Sequence, residues 1–160
     1  MSYEQLTVRM ATASWKNTVG RADKAFSTLP EEQFVREVAP GKNRIIYLLG
    51  HLTAINDGMY TILGIGERLH PELDAIFISE PDRSTEVLPS VTDLMKHWAE
   101  VNGSLSAKFD HLTLQDWLQR HMAVSDEDYA KDPTRNRLSV LLSRTNHLSY
   151  HLGQIILALK

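Results

Sequence analysis

NRLSVLLSRTNHLSYHLGQIILAL, residues 136–159, is the stretch that decides the fold. Leu138, Leu141, Leu142, Leu148, Leu152, Ile155, Ile156 and Leu159 recur at three and four residues, and no proline interrupts them. That periodicity predicts a long amphipathic helix with one apolar stripe. Beside the stripe runs a second strip of Val140, His147, His151, Gln154 and Ala158. Residues four apart lie about 40° beyond a full helical turn, so His147 and His151 project from the same face.

Three further segments follow the same rule. Residues 3–27 carry Leu6, Val8, Met10, Ala13, Trp15, Val19, Ala22 and Phe26 around a helical period, and Leu29-Pro30 ends them. Pro30 to Phe34 predicts a short helical turn, with proline and acids at its start. Ala39-Pro40-Gly41 breaks the chain before a second long helix over 43–65. Its stripe is Ile45, Leu48, Leu49, Leu52, Ile55, Met59, Ile62 and Leu63, closed by Gly64 and Gly66. A third helix over 90–109 opens on Ser90 and Asp93 as a cap and buries Val91, Leu94, Met95, Trp98, Val101, Leu105 and Phe109.

Residues 66–90 hold Pro71, Pro81 and Pro89 and predict an irregular crossover. Leu73, Ile76, Phe77 and Ile78 are too apolar for a free loop and should pack on the body. Residues 110–136 are polar and broken. The expected fold is therefore all-α: one domain over residues 1–160, a four-helix bundle with a long irregular crossover between helices two and three.

Composition narrows the function. The 160 residues carry 17 Lys and Arg, 20 Asp and Glu, and a net charge of −3, with no basic surplus for a nucleic-acid partner. There is no cysteine, which excludes disulfides, a thiolate nucleophile and thiolate-ligated zinc. No apolar run reaches the ~18 residues of a membrane span, and no signal peptide is read at the start, so the expectation is a soluble cytoplasmic protein.

Seven histidines are the one unusual feature. The pair at 147 and 151 has the spacing with which one helix chelates an ion. His51 lies between Leu48 and Ile55 on the second helix. If the second and last helices are neighbours, three imidazoles converge, as in metal sites built between facing helices. The residues alone leave another account open: His51 as a core histidine bonded to Thr53 or Tyr150, and His147 and His151 as a solvated pair. His70, His97, His111 and His121 read as surface side chains, with His97 beside Trp98 the one placed to assist.

Ala39-Pro40-Gly41-Lys42-Asn43-Arg44-Ile45, followed by Leu48-Leu49-Gly50-His51-Leu52, resembles the DinB/YfiT-like superfamily of metal-dependent helical bundles. Asn146-His147-Leu148-Ser149-Tyr150-His151-Leu152-Gly153-Gln154-Ile155 resembles that superfamily's closing helix. Two positions depart from it: Leu152 stands where a basic residue is frequent, and Ser143 where a further histidine is frequent. The resemblance implies His51, His147 and His151 as ligands of one divalent ion. Nickel or zinc is foremost and iron or manganese compatible, since imidazole accepts all four. It also implies a homodimer, a small-molecule substrate, and a transferase or isomerase that uses a low-molecular-weight thiol. A hydrolase is the nearest variant. Outside enzymes, a metal-binding or stress-related interaction module and a metal-free helical dimer fit the same residues. Asn56, Asn146, Tyr150 and Gln154 are candidates to orient the rings. Tyr47, Met59, Trp98 and Arg144 are candidates to line a pocket.

Overall fold

The structure, a computed structural model, describes residues 2–85 and 87–159. It is helical throughout, with no strand among the described residues and two isolated bridges, Glu37 to Arg44 and Arg120 to Asn136. Helix α1 spans Tyr3–Ser27. Ser2 caps it: its hydroxyl accepts from the Gln5 N–H, and the Gln5 side chain accepts from the Ser2 N–H, which satisfies two of the free donors of the first turn. The buried positions of α1 are Ala11, Trp15, Thr18, Val19, Ala22 and Phe26. Leu6 and Met10, counted in the helical period, are instead 40% and 63% exposed.

A 3-10 turn over Glu31–Gln33 follows. The chain then reverses at Gly41, whose φ of +72° only glycine adopts freely. The second long segment divides into α2, Ile45–Asp57, and α3, Met59–Ile62, joined at Gly58. The expected single stripe is too modest for α2. Every residue of it is buried except His51 and Ile55, which are partly exposed. A helix apolar on nearly all sides must be covered on nearly all sides.

The crossover supplies part of that cover. It contains a 3-10 turn, Pro71–Leu73, and the short helix α4, Asp74–Phe77. Leu73 and Phe77 sit in the core and Ile76 packs against it, as expected, but Ile78, assigned to the same packed run, is 44% exposed. Polar contacts pin the segment. The fully buried Asp57 carboxylate accepts from Arg68 Nε and from the Leu69 and His70 N–H groups. Arg68 also makes a two-pronged pair with Asp74. Asp82 accepts from the Arg44 backbone N–H at 2.8 Å and from its guanidinium.

Helix α5 spans Val91–His111, and Ser90 caps it as read from the sequence. The polar stretch after it is more ordered than expected. It forms α6, Leu114–Leu118, and α7, Asp126–Lys131, each started by a hydroxyl cap, Thr113 and Ser125. Helix α8 spans Arg137–Ala158 behind Asn136, whose side chain accepts from the Ser139 N–H. Leu142, assigned to its stripe, is 46% exposed.

Helix α1 packs on α8 and α5, and α2 packs on α5, α8 and α4. The aromatic core joins α1 to α5 through Trp15 and Phe109, ring centroids 4.9 Å apart, and Phe26 and Trp98, 5.6 Å apart. The indole of Trp98 donates to Asp23. Between α2 and α5 a buried amide pair, Asn56 Nδ2 to Asn102 Oδ1 at 2.8 Å, fixes the register. The face of α2 left over is the one carrying His51 and Ile55, and α8 lies beside it. Among the described residues no helix is long and apolar enough to cross a membrane.

Candidate metal centre

The proximity of α2 and α8 brings together side chains 96 positions apart in the chain. His51 Nε2 lies 3.3 Å from His147 Nε2, and His151 Nε2 lies 3.2 Å from the same atom. One nitrogen from each ring falls within 4.8 Å of the other two. Zinc–imidazole bonds of about 2.0–2.1 Å at tetrahedral angles place ligand nitrogens about 3.3–3.4 Å apart, so two of the three pairs already stand at chelating separation.

The far nitrogens decide which form each ring takes. His51 Nδ1 lies 2.8 Å from the Phe77 carbonyl oxygen. A carbonyl only accepts, so this nitrogen carries the proton and Nε2 presents its lone pair to the cluster. His151 Nδ1 lies 2.8 Å from Gln154 Oε1 and is set in the same way. Two lone pairs therefore face His147 Nε2, which has one proton at most to offer. His147 Nδ1 is buried without a hydrogen-bond partner. Three convergent nitrogens with at most one proton among them are poorly satisfied by each other; a divalent cation among the three Nε2 atoms meets all three lone pairs at once.

Protonation points the same way. Burial, the charge of the neighbouring rings and that of Arg144 push His147 down to about 4. Burial also lowers His51 and His151, against the pull of their acceptors Phe77 and Gln154. The rings are thus held neutral, the form that ligates. A stability consequence follows. His147 titrates near 6.5 when unfolded and near 4 when folded, so between those values the unfolded chain binds more protons. The metal-free protein is expected to hold its full stability above pH 6.5 and to lose part of it as pH falls from 6.5 towards 4. Denaturant midpoints measured from pH 8 to pH 4 check this; a flat profile across that window contradicts it.

All three histidines singled out in the sequence meet here, and neither half of the alternative account holds. His51 bonds to the Phe77 carbonyl, not to Thr53 or Tyr150; Thr53 donates to Leu49 O instead. His147 and His151 are partly buried and face a third ring. Of the orienting candidates, Gln154 binds His151. Tyr150 stacks edge-on against His151 but is 63% exposed, Asn146 is exposed, and Asn56 is committed to Asn102. Of the pocket candidates, Tyr47 stacks on His51 with centroids 6.2 Å apart, and Arg144 stands near the rings. Met59 and Trp98 belong to the core. His97 does not assist: it stacks on His70 at 3.9 Å, and both are partly buried rather than surface side chains.

Two contributors were not singled out from the sequence. The Phe77 carbonyl orients His51 as backbone. Gly50 lets Phe77 come close: a Cβ built at Gly50 would lie 2.3 Å from the Phe77 ring. A glycine inside a helical run was the available hint. Beside His151 opens a cleft of about 450 Å³, lined by Val38, Lys42, Asn43, Tyr150 and Gln154 among others.

Gln154→Leu tests the orienting bond. It removes the acceptor of His151 Nδ1, and metal affinity is expected to fall about ten- to a hundredfold, the usual cost of losing such a partner. Calorimetric titration with Zn(II) measures it, and unchanged affinity contradicts the role.

A family model described as the DinB superfamily matches residues 14–155. No curated protein matches the chain.

Proposed function

This chain belongs to the DinB superfamily, and from that and the histidine geometry we propose a metal-dependent enzyme built as one four-helix-bundle domain. His51, His147 and His151 hold a single divalent ion, nickel or zinc foremost, through their Nε2 atoms. The substrate is a small molecule, and a low-molecular-weight thiol serves as cosubstrate in a transferase or isomerase reaction. One observation carries the proposal: three neutral imidazoles converge, two with their far nitrogens already donating. Three protein ligands leave coordination positions open, the arrangement of a catalytic site in contrast to a closed structural one. An ion bound there supplies Lewis acidity, lowering the pKa of a thiol or water or polarising a substrate oxygen.

The protein's own groups have definite tasks. Phe77 O and Gln154 fix the rings of His51 and His151. Burial favours the neutral form of all three rings. Tyr47 packs along His51 and anchors its hydroxyl on the Glu80 carbonyl at 2.6 Å, which walls the site on the crossover side. The cleft beside His151 gives a small molecule its approach. The absence of cysteine means that a reacting thiol arrives from outside.

Untagged protein loaded with Zn(II) or Ni(II) is expected to consume glutathione or free cysteine in the presence of an electrophilic aryl halide. His151→Ala should abolish this with the fold intact. No thiol consumption, joined to a collapse of the melting temperature when the ion is chelated, supports instead an ion that only ties α2 to α8.

A homodimer belongs to the same proposal. Tyr3, Leu6 and Met10 are exposed and recur at three and four residues on α1, an apolar strip for a second copy. Sedimentation equilibrium is expected to give twice the chain mass; a monomer removes this part.

A further inference from the structure

The charge around the three rings is unbalanced. The ligand set is neutral, so a bound divalent ion keeps its full charge. Arg144 stands one turn before His147 on α8, three residues away and so on the same face of the helix. Among the described residues the histidine paired with carboxylates is His70, and none of the three rings is in an ion pair. Arg144 is itself partly buried, its Nε has no hydrogen-bond partner, and no acidic side chain pairs with it among the described residues. Of the other partly buried arginines, Arg44 pairs with Asp82, Arg68 with Asp57 and Asp74, and Arg120 with Asp126, while Arg137, also without a carboxylate, donates to the Asp116 carbonyl. Lys42 lines the cleft beside His151, and no carboxylate lines that cleft. A dication and an unmatched guanidinium in a partly desolvated site repel each other unless an anion lies between them.

We propose that the loaded centre takes an oxyanion, a carboxylate- or phosphate-bearing small molecule, whose negative group is held by Arg144 while the molecule occupies the open side of the triad. The inference rests on the metal centre proposed above and adds the charge class of what it binds. A guanidinium is suited to this because its planar fork engages two oxygens of one carboxylate or phosphate.

The test uses untagged protein loaded with Co(II), whose visible spectrum responds to a new ligand. Acetate and methylphosphonate are titrated separately, which distinguishes the two oxyanion sources. At least one is expected to give a saturable spectral change. Arg144→Gln should weaken it by about tenfold or more, as loss of a charge-assisted hydrogen bond does. Arg144→Lys should retain part of the affinity, and Lys42→Gln should change it less than Arg144→Gln does. One cobalt per chain in each variant shows that the triad is intact. Equal anion affinity in wild type and Arg144→Gln overturns the inference, as does a wild type that binds neither anion. A larger loss in Lys42→Gln than in Arg144→Gln also overturns it, placing the anion in the cleft. A wild type that fails to take up cobalt defeats the metal centre itself, a failure distinct from these.

Discussion

His147→Ala is expected to lower Zn(II) affinity by more than about a hundredfold, beyond the ten- to hundredfold cost of losing an orienting partner, while the metal-free fold survives. His147 is the common neighbour: its Nε2 lies 3.3 Å from that of His51 and 3.2 Å from that of His151. Without it the remaining two rings offer two donors from different helices. The apo protein loses little because His147 contributes little to it. Its Nδ1 is buried without a partner, a state that costs about 1–3 kcal/mol and that truncation relieves, offsetting the packing that is lost. Calorimetric titration read beside a thermal melt separates the two effects. Metal affinity near wild type contradicts the ligand assignment, and an unfolded variant contradicts the account of the apo site.

Gly50→Ala is expected to be the most damaging single-methyl change in the protein. The added Cβ would meet three atoms of the Phe77 ring at 2.3–2.6 Å. Phe77 is fully buried, so the ring cannot swing aside into water. Overpacking of this kind costs about 1–3 kcal/mol, and a backbone shift of α4 is the available relief. That shift carries the Phe77 carbonyl away from His51 Nδ1, which it now meets at 2.8 Å. The variant should therefore lose stability and also bind metal about ten- to a hundredfold more weakly through misorientation of His51. Denaturant unfolding of the metal-free protein and Zn(II) titration together check both parts. Loss of stability with unchanged affinity breaks the proposed link between α4 and the site.

How far the residues alone reach depends on the range of the interaction. The pair at 147 and 151, and the partnership of His151 with Gln154, lie within two turns of one helix, and helical geometry makes them legible. The capping of α5 by Ser90 is local in the same sense. His51 joins the pair only because α2 lies beside α8, a tertiary fact that periodicity does not carry. The same limit explains Asn56. Both Asn56 and His51 are polar positions on an apolar helix, and a wheel does not say which polar side meets α5 and which meets α8. The structure turns Asn56 to Asn102 and His51 to α8. Trp98 and Met59 lie on the apolar stripes of their helices and are also pocket candidates by size; the structure keeps them in the core, since large apolar side chains are what a core collects first. The Phe77 carbonyl was out of reach for a different reason. It acts as backbone, and its position depends on the Asp57, Arg68 and Asp74 network that folds the crossover back. The apolar content of that segment was readable; the atom it delivers was not.

The most direct measurement is anomalous scattering from crystals of untagged protein grown with Zn(II) or Ni(II). A single peak within bonding distance of the Nε2 atoms of residues 51, 147 and 151 is the predicted result. Crystals with full metal in solution and no peak between those rings, or a peak held by the helix-eight pair alone with residue 51 turned away, would contradict it.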